Sequence, residues 1–507
     1  MRKIVGIALV VALAAGAPRQ AHARPQVQDA LAARAAEAAA AMESGRFDAA
    51  ATIYGELVAA RPNVAGLLMN LGMARYMSGH PDEALPVLRQ AIALNKTLAP
   101  ASLFLGASLL DLGQFAEASA PLQQAVTLMP QNPDAREMLA RSYLGSARPA
   151  KAAAQYRALT GLQAQNAKAW YGLARSYEGV AEDAFAALQK ESPDSPLIEV
   201  IVADIAATQE KLATALRIYR RALDNKVPIG GLHESVAELY EQAGKSDWAA
   251  TELAKATPRT PAYCATRAAE CRFLDRKFLE SLSAAQQASG PVARFWAVRA
   301  ANRLAVEAVG QIETLPASAE LHLIRAEIAQ SRNRFPEGVA EIREALKLEP
   351  DNPAIEHALA DALLQAHDLD EAIPLLERLT REQPADGSLL LMYGDALLQA
   401  QQVDRAIPIL EQVTKAADAP PAGRALLGKA YVLAGKYPEA VPQLEASLDA
   451  DEDGDVHFQL ARAYQAMGRA EDAQKALLEY QRRRPAAPTP TDAPADPADA
   501  TLTPPND

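Results

Sequence analysis

The sequence has few of the residues on which metal and thiol chemistry depend. Its 507 residues include two cysteines and seven histidines. The histidines are scattered, with no His-Glu-x-x-His motif and no Cys–His cluster at the spacing of a metal site. No Gly-rich phosphate loop and no paired nucleophile and base stand out either. We therefore expect a protein that is not an enzyme, with no catalytic residues, no bound metal and no cofactor.

The two cysteines, Cys264 and Cys271, are too few for a disulfide framework in a chain of this length. If both lie in one helix, as the local pattern predicts, their Cα atoms are ~10.5 Å apart. That distance exceeds the ~7 Å limit for a disulfide bridge. We therefore expect two small buried apolar residues, with a disulfide or redox pair as the alternative.

Aromatic residues are also scarce, at 5% of the chain, whereas half of the residues are hydrophobic, with much Ala and Leu. This composition favours helices over strands. The formal charge of −12 repels phosphate backbones, and we find no basic stripe to overcome that repulsion. The short basic run from Arg482 to Arg484 is typical of the C-terminal end of a helix. We therefore expect no nucleic-acid partner.

Long apolar runs are confined to the start of the chain. Arg2 and Lys3 precede an apolar run over residues 4–15, and Ala21-His22-Ala23 follows. The run has about a dozen residues, whereas a membrane span needs roughly 20. This order predicts a secretory signal peptide that is cleaved after Ala23, with a retained membrane anchor as the alternative. We expect an exported protein, periplasmic or secreted and soluble after cleavage, with no membrane span.

The dominant feature of the rest of the chain is a repeat of 34 residues. A period of this length is typical of solenoids built from helix–turn–helix units. The unit recurs in two groups of five, which start at Leu31, Ala65, Ala99, Pro133 and Ala167, and at Ala319, Pro353, Gly387, Pro421 and Gly454.

Three positions of the repeat carry its packing. The eighth residue is small, as in Gly72 and Gly106, and the twentieth is small again, as in Ala84 and Ala118. Helices approach closely only where side chains are short, so these positions predict the contact between the two helices of a unit. The twenty-fourth residue is large, as in Leu122, and lies on the same helical face as the twentieth.

Prolines mark the expected helix ends. One set predicts where the second helix of a unit stops: Pro62, Pro130, Pro350, Pro384 and Pro485. Another set is expected in the opening turn of the second helix, where an N–H has no intrahelical partner: Pro86, Pro374, Pro408 and Pro442.

With Trp170, Leu173, Ala174 and Tyr177 in one unit, this pattern resembles the tetratricopeptide repeat family, over nearly all of the chain after residue 23. The resemblance implies an all-α, right-handed superhelical solenoid of antiparallel helix pairs, with about 12 to 14 repeats. It also implies a scaffold that binds a peptide, a helix or a partner protein in its concave groove.

The register of the repeats suggests five segments. The second helix near residues 182–189 looks shortened, and residues 261–318 show no clean repeat, so they are either degenerate repeats or a hinge. The expected organisation is a signal peptide at 1–23, a first array at 24–260, the irregular segment at 261–318, a second array at 319–484 and a disordered tail rich in Pro, Ala and Asp at 485–507.

In the family that this chain resembles, partner contacts come from the second, fifth, ninth and twelfth positions of the first helix. Carried over, those positions give an apolar stretch, a basic group and an acidic row. The residues are Met69, Met73, Tyr76 and Leu103; then Arg141, Tyr171 and Arg175; and last Glu327, Asp361 and Asp395.

We expect the basic group to receive an acidic segment and the acidic row to face a basic one; the simpler interpretation is that Arg175 pairs with Asp204 and the rest are solvated. The run Asp449-x-Asp451-x-Asp453-Gly454 resembles the start of a calcium loop, but Leu460 stands where a Glu is needed, so a turn before a helix is preferred. The expected function is a bacterial cell-envelope scaffold, and the alternative is a glycan-binding or regulatory subunit of a cell-wall or polysaccharide-export system.

Overall fold

The computed structural model describes residues 24–350, 352–415, 419–484 and 502–505. Over these residues the regular structure is helical and forms successive antiparallel pairs, which agrees with about 13 repeats and confirms the predicted all-α fold class. No helix in the described ranges is both long enough and apolar enough to cross a bilayer. The predicted signal peptide at 1–23 lies outside the described residues.

The chain divides into two compact units between Leu315 and Pro316, and the described segment Leu502–Pro505 belongs to the first unit. The helices of the first unit are α1 (Arg24–Glu43), α2 (Phe47–Ala60), α3 (Ala65–Met77), α4 (Pro81–Leu94), α5 (Ala99–Asp111), α6 (Phe115–Leu128), α7 (Pro133–Gly145), α8 (Pro149–Leu162), α9 (Ala167–Glu191), α10 (Pro196–Thr208), α11 (Leu212–Asp224), α12 (Leu232–Gln242), α13 (Ser246–Leu253), α14 (Pro261–Thr266), α15 (Ala268–Leu274), α16 (Phe278–Gln287) and α17 (Pro291–Glu313).

The second unit continues the same alternation of first and second helices. Its helices are α18 (Ala319–Ser331), α19 (Phe335–Leu348), α20 (Pro353–Gln365), α21 (Leu369–Glu382), α22 (Gly387–Gln399), α23 (Val403–Thr414), α24 (Pro421–Leu433), α25 (Tyr437–Glu445), α26 (Asp455–Ala466) and α27 (Ala470–Arg483), with a short 3-10 turn at Leu448–Ala450.

Several first helices begin where the repeat predicts because the residue before the start caps the helix with its side chain. Asn132 accepts a hydrogen bond from the Ala135 N–H, and Asn166 accepts one from the Ala169 N–H. Asp386 does the same for the N–H groups of Ser388 and Leu389. A side-chain oxygen at this position satisfies an N–H that has no partner inside the helix, which fixes the start of the helix.

The small residues of the repeat lie at the contact between the two helices of a pair, as predicted. A Cβ added at Gly72 would lie 2.4 Å from Leu88 Cγ, and one added at Gly106 would lie 2.3 Å from Leu122 Cγ. Both leucines occupy the twenty-fourth position and are fully buried. The short residue on one helix therefore receives the large residue of its partner helix.

Neighbouring repeats are joined by a polar contact that recurs with the same spacing. Gln90 Nε2 donates to the Pro62 carbonyl over 3.4 Å, and Gln412 Nε2 donates to the Pro384 carbonyl over 3.2 Å. In each case a second helix satisfies a carbonyl just beyond the end of the preceding second helix. Each contact spans 28 residues, so the stacking register repeats along the chain.

The fifteenth residue of the repeat turns the chain between the two helices of a pair, and it adopts a positive φ. This holds for Gly45, Gly79, Gly113, Ala147, Asn333, His367, Gln401, Gly435 and Gly468. The corresponding residue of the unit that starts at Ala167 is Ala181, which lies inside α9. Consequently this unit has no turn.

The expected shortening of the second helix near residues 182–189 is therefore wrong. α9 is one continuous helix of 25 residues, and it packs along α17, which has 23 residues. Arg294 of α17 donates to Glu191 at the end of α9 over 3.2 Å. A pairing of helices this far apart in sequence leaves no local signal, which explains the error.

The expectation for the two cysteines is also wrong. They form a disulfide, with Cα atoms 5.7 Å apart. Arg267, at φ −130° and ψ 44°, breaks the helix between them, so Cys264 lies in α14 and Cys271 in α15. The distance argument fails because it assumed one continuous helix.

The two sets of prolines have different outcomes. Pro62, Pro130, Pro350 and Pro384 each come two residues after the last residue of a second helix, as predicted. The second set, which includes Pro86 and Pro374, lies inside the helix at its sixth residue rather than in the opening turn. Each of these prolines removes one intrahelical hydrogen bond.

The boundaries of the two predicted arrays and the character of 261–318 stay predictions. Within the predicted disordered tail, residues 502–505 are described, and disorder does not hold for them because Leu502 packs against the core and Thr503 is hydrogen-bonded. The other residues beyond Arg484 lie outside the described ranges.

Candidate partner-binding groove

A groove of about 630 Å³ lies in the second unit. It is lined mainly by residues from α20, α22, α24 and α26, the first helices of four successive pairs. The loop before α26, His367 after α20 and Leu444 of α25 complete the lining. First helices therefore contribute most of its surface. Two residues of the predicted acidic row, Asp361 and Asp395, are among the lining residues.

Asp361 of α20, Asp395 of α22 and Lys429 of α24 all occupy the ninth position of their repeats and all line this groove. Asp361 is exposed and Asp395 is half-buried. Asp361 Oδ2 accepts a hydrogen bond from Gln365 Nε2 over 2.8 Å, and the neighbouring repeat has the same contact between Asp395 and Gln399 over 2.9 Å. Each glutamine orients a carboxylate without neutralising it.

Apolar side chains from the same helices lie between the polar ones. They are Leu364, Met392, Leu426 and Val456. At one end of the groove, Asp453 and Asp455 add two exposed carboxylates beside the start of α26. The lining thus combines an apolar floor with a clear excess of negative charge over the single lysine.

Asp451 also borders the groove, but its carboxylate makes hydrogen bonds within the protein. Its oxygens accept from the backbone N–H groups of Val456, over 3.1 Å, and His457, over 3.2 Å, and one of them pairs with His457 Nδ1. Burial alone raises the pKa of Asp451, but these hydrogen bonds outweigh burial and lower it. This arrangement supports the interpretation of the acidic run as a turn before a helix. No group of His, Cys, Asp or Glu suited to a metal ion occurs in the described part of the chain.

The other predicted site residues differ in how much of their surface is accessible. Met69, Met73 and Leu103 are buried in the core of the first unit, with exposed fractions of 4%, 7% and 0%, so in this structure they present almost no surface to a partner. These side chains contribute to packing instead. Glu327 is exposed on α18 but is not among the groove-lining residues.

Tyr76 and Arg141 lie near each other in the first unit. The ring of Tyr76 packs edge-on against Phe104, with ring centroids 5.5 Å apart. Burial raises the pKa of Tyr76 to about 12, the Asp111 carboxylate adds to that rise, and the nearby Arg141 charge opposes it. Both side chains are half-buried, so both retain some accessible surface.

Arg175 is exposed and forms an ion pair with Glu178, one turn along α9, at 2.8 Å. Half-buried Tyr171 lies one turn before it on the same helix. The expected pairing of Arg175 with Asp204 is therefore wrong. Asp204 instead binds Arg299 of α17, which the repeat pattern does not connect with it.

Arg299 is the most buried arginine described, at 3% exposed. Its Nε donates to Asp204 Oδ2 over 2.8 Å, and its Nη2 donates to Asp204 Oδ1 over 2.9 Å. The guanidinium lies over the rings of Phe273 and Trp296, 4.7 and 5.4 Å from their centroids. This ion pair joins α10 to α17 and is structural in character.

Paired helices with a fixed register and a groove lined by first helices define the class of helical repeat proteins. The family models agree with that class. Models described as "Tetratricopeptide repeat" match residues 35–97, 74–136, 109–177, 329–389, 363–430 and 455–487, which together cover more than half of the chain. The chain is a tetratricopeptide repeat protein. Domains of this family generally mediate protein–protein interactions.

Solved structures of the protein MamA are among those similar to this chain. A crystal structure of MamA is 26% identical and covers 28% of this chain and 83% of its own, with a TM-score of 0.27. MamA 41-end from Desulfovibrio magneticus RS-1 is 22% identical and covers 33% and 97%, with a TM-score of 0.30. The comparison with curated proteins gave no match.

Proposed function

We propose that this protein is a non-catalytic interaction scaffold, and that the groove of its second unit binds a partner segment carrying Lys or Arg beside apolar side chains. The observation that carries this proposal is the register of the first helices. It places Asp361 and Asp395 at the same repeat position over a floor that includes Met392 and Leu426. A linear segment can contact such a row at regular intervals.

The charges of the groove favour a basic partner. Asp361 and Asp395 are in no salt bridge within the described part of the chain, and each retains accessible surface. An exposed ion pair contributes ~0.2–1 kcal/mol, and tenfold in affinity corresponds to about 1.4 kcal/mol. Two such contacts therefore change affinity by about twofold to 25-fold, and the apolar floor supplies the remaining binding free energy.

The test uses two labelled synthetic helical peptides with the same leucine pattern, one with Lys and Arg on its polar face and the other with Glu. We expect the full chain to bind the basic peptide more tightly in fluorescence anisotropy. Asp361→Asn together with Asp395→Asn should weaken that binding by about twofold to 25-fold, and by less as salt is added, because salt screens exposed charges.

The matched control is Asp370→Asn together with Asp404→Asn. These aspartates are exposed on the second helices α21 and α23, and they are not among the groove-lining residues. The control pair makes the same change in net charge as the test pair. Because its residues are not among those lining the groove, it should leave the Kd for the basic peptide unchanged. Equal weakening by both pairs would mean that net charge alone attracts the peptide, and the groove would lose its assigned role.

The glycan alternative receives no support from the groove, because its described lining includes no Phe, Tyr or Trp on which a sugar could stack. The basic group of Arg141, Tyr171 and Arg175 stays a predicted site for an acidic segment. Replacing both arginines by Glu should weaken such a partner at least tenfold, since each charge-assisted contact contributes about 1.5 to 3 kcal/mol.

We also infer an exported protein of the bacterial cell envelope. The basic and apolar order at residues 2–23 supports export, and the Cys264–Cys271 disulfide is typical of an oxidising compartment. Fractionation of cells, with mass spectrometry of the N-terminal peptide, tests this proposal. Recovery of the chain with Met1 in the cytoplasmic fraction would contradict it.

A further inference from the structure

The first unit holds an extended segment of the same chain against α11 and α12. This segment is Leu502–Pro505, more than 260 residues away in sequence. Arg220 Nη2 and the Tyr240 hydroxyl both donate to the Thr503 carbonyl, over 3.0 and 2.8 Å. The Arg220 guanidinium also donates to Thr503 Oγ1 and to the Pro504 carbonyl.

Three of these four hydrogen bonds go to main-chain carbonyls, and the fourth goes to the Thr503 hydroxyl. The two carbonyls are successive, and the only side-chain acceptor within the described segment is a hydroxyl. The segment needs no backbone N–H at Pro504 or Pro505, because proline has none. Consecutive prolines also hold the chain extended before it binds, so little conformational entropy is lost. Leu502 adds an apolar contact with the core of the unit.

The two side chains that contact the segment, Arg220 and Tyr240, are oriented by other contacts within the first unit. With the segment in place Tyr240 is fully buried, and its ring packs edge-on against Trp248 with ring centroids 5.5 Å apart. Arg220 Nη2 donates to the Tyr240 hydroxyl over 2.8 Å, so each of the two donors orients the other. A fixed pair of donors that needs no rearrangement is what recognition of an extended peptide requires.

An internal comparison shows that the segment is specific to this place. Arg157 of α8 makes the same contact with Tyr177 of α9, with the same spacing of 20 residues, over 3.3 Å. There, α17 packs along α9 and the charge of Glu307 lies near Tyr177, so a helix rather than an extended segment lies beside the pair. The Arg–Tyr contact is thus a feature of repeat stacking, and the docked segment at Arg220 and Tyr240 is additional to it.

We propose that Arg220 and Tyr240 form a second peptide-binding site, which takes an extended segment with an apolar residue, then Thr or Ser, then Pro. Leu502–Pro505 occupies this site in cis and blocks it until a partner segment of the same chemistry displaces it. The site and the groove of the second unit consist of different residues, so this proposal can be tested independently of the proposed function.

The test measures binding of a labelled peptide, Ala-Thr-Leu-Thr-Pro-Pro-Asn, to the full chain. A tethered segment acts at an effective concentration on the order of 1 mM. For a peptide with a Kd near ~100 μM, that competition weakens the apparent affinity of the wild-type chain about tenfold. Leu502→Asp removes the apolar contact of the tethered copy, so this variant should bind the peptide about tenfold more tightly.

Two controls keep the result interpretable. Leu478→Asp changes a leucine that is 59% exposed on α27, and it should leave peptide binding at the wild-type level. Adding Arg220→Gln to Leu502→Asp should abolish binding, whereas adding Arg157→Gln should not. The proposal is overturned if Leu502→Asp binds no better than the wild type, or if Arg157→Gln and Arg220→Gln have equal effects.

Discussion

Replacing Gly106 by Ala places a methyl group in the contact between α5 and α6. The new Cβ would lie 2.3 Å from Leu122 Cγ and 2.4 Å from its Cδ2. Leu122 is fully buried, so it has no free space into which to move. The same substitution at Gly55, in the middle of α2, meets no atom within 4 Å. The two sites therefore differ in packing but not in the chemical change.

The two substitutions should have effects of opposite sign. Ala is preferred to Gly inside a helix by ~0.8–1 kcal/mol, so Gly55→Ala should stabilise its helix by about that amount. Gly106→Ala gains the same term but adds an overpacking cost of about 1–3 kcal/mol. Its net effect should be a loss of about 1 kcal/mol in the free energy of opening. A difference of about 2 kcal/mol between the variants follows.

Hydrogen exchange of backbone amides is the appropriate assay, because a repeat array opens locally and each helix can be followed separately. Protection of α5 and α6 should fall in Gly106→Ala, and protection of α2 should rise in Gly55→Ala. Adding Leu122→Val should recover part of the loss at Gly106, with a coupling of at least ~0.5 kcal/mol. A Gly106→Ala variant as protected as Gly55→Ala would refute the packing role of the eighth position.

Two further predictions concern buried charges. Arg299→Met leaves the Asp204 carboxylate without its cation and should destabilise the first unit by about 3–5 kcal/mol, and Asp204→Leu in the same chain should restore part of that loss in denaturant unfolding. Folding lowers the pKa of Asp451. The Asp451 carboxylate therefore stabilises the fold fully above its unfolded-state pKa of about 3.9, and this stabilisation is lost as the pH falls through the lower folded-state pKa. The gap in unfolding midpoint between the wild type and Asp451→Asn should therefore close on acidification, and a gap that is constant from neutral pH to about pH 2 would contradict this assignment.

The periodic part of the fold was predictable because its causes are local. Capping residues such as Asn132 and Asp386 and short residues such as Gly72 act within one repeat or between adjacent helices. A period of 34 residues therefore carries enough information to place both helices of a pair. The central part was not predictable to the same degree, because α9 and α17 pack together across more than a hundred residues and the helix break at Arg267 has no signal in the repeat.

The candidate site shows why register alone does not define a binding surface. Met73 and Asp361 were both predicted from the ninth position of the repeat, yet Met73 is buried while Asp361 is exposed. Met69 and Leu103, which occupy the fifth position, are buried as well. These apolar side chains are part of the continuous core of the first unit, so they leave little accessible surface at these positions.

A carboxylate at the same position cannot be buried without a partner, because its desolvation costs more than packing returns. The repeat thus determines which face of a first helix points toward a partner, whereas the polarity of the ninth residue decides whether that face stays open. By this reasoning, replacing Asp361 and Asp395 by Leu should close part of the groove of the second unit through new contacts between α20 and α22. The acidic row is therefore needed to keep the groove accessible as well as to attract a basic segment.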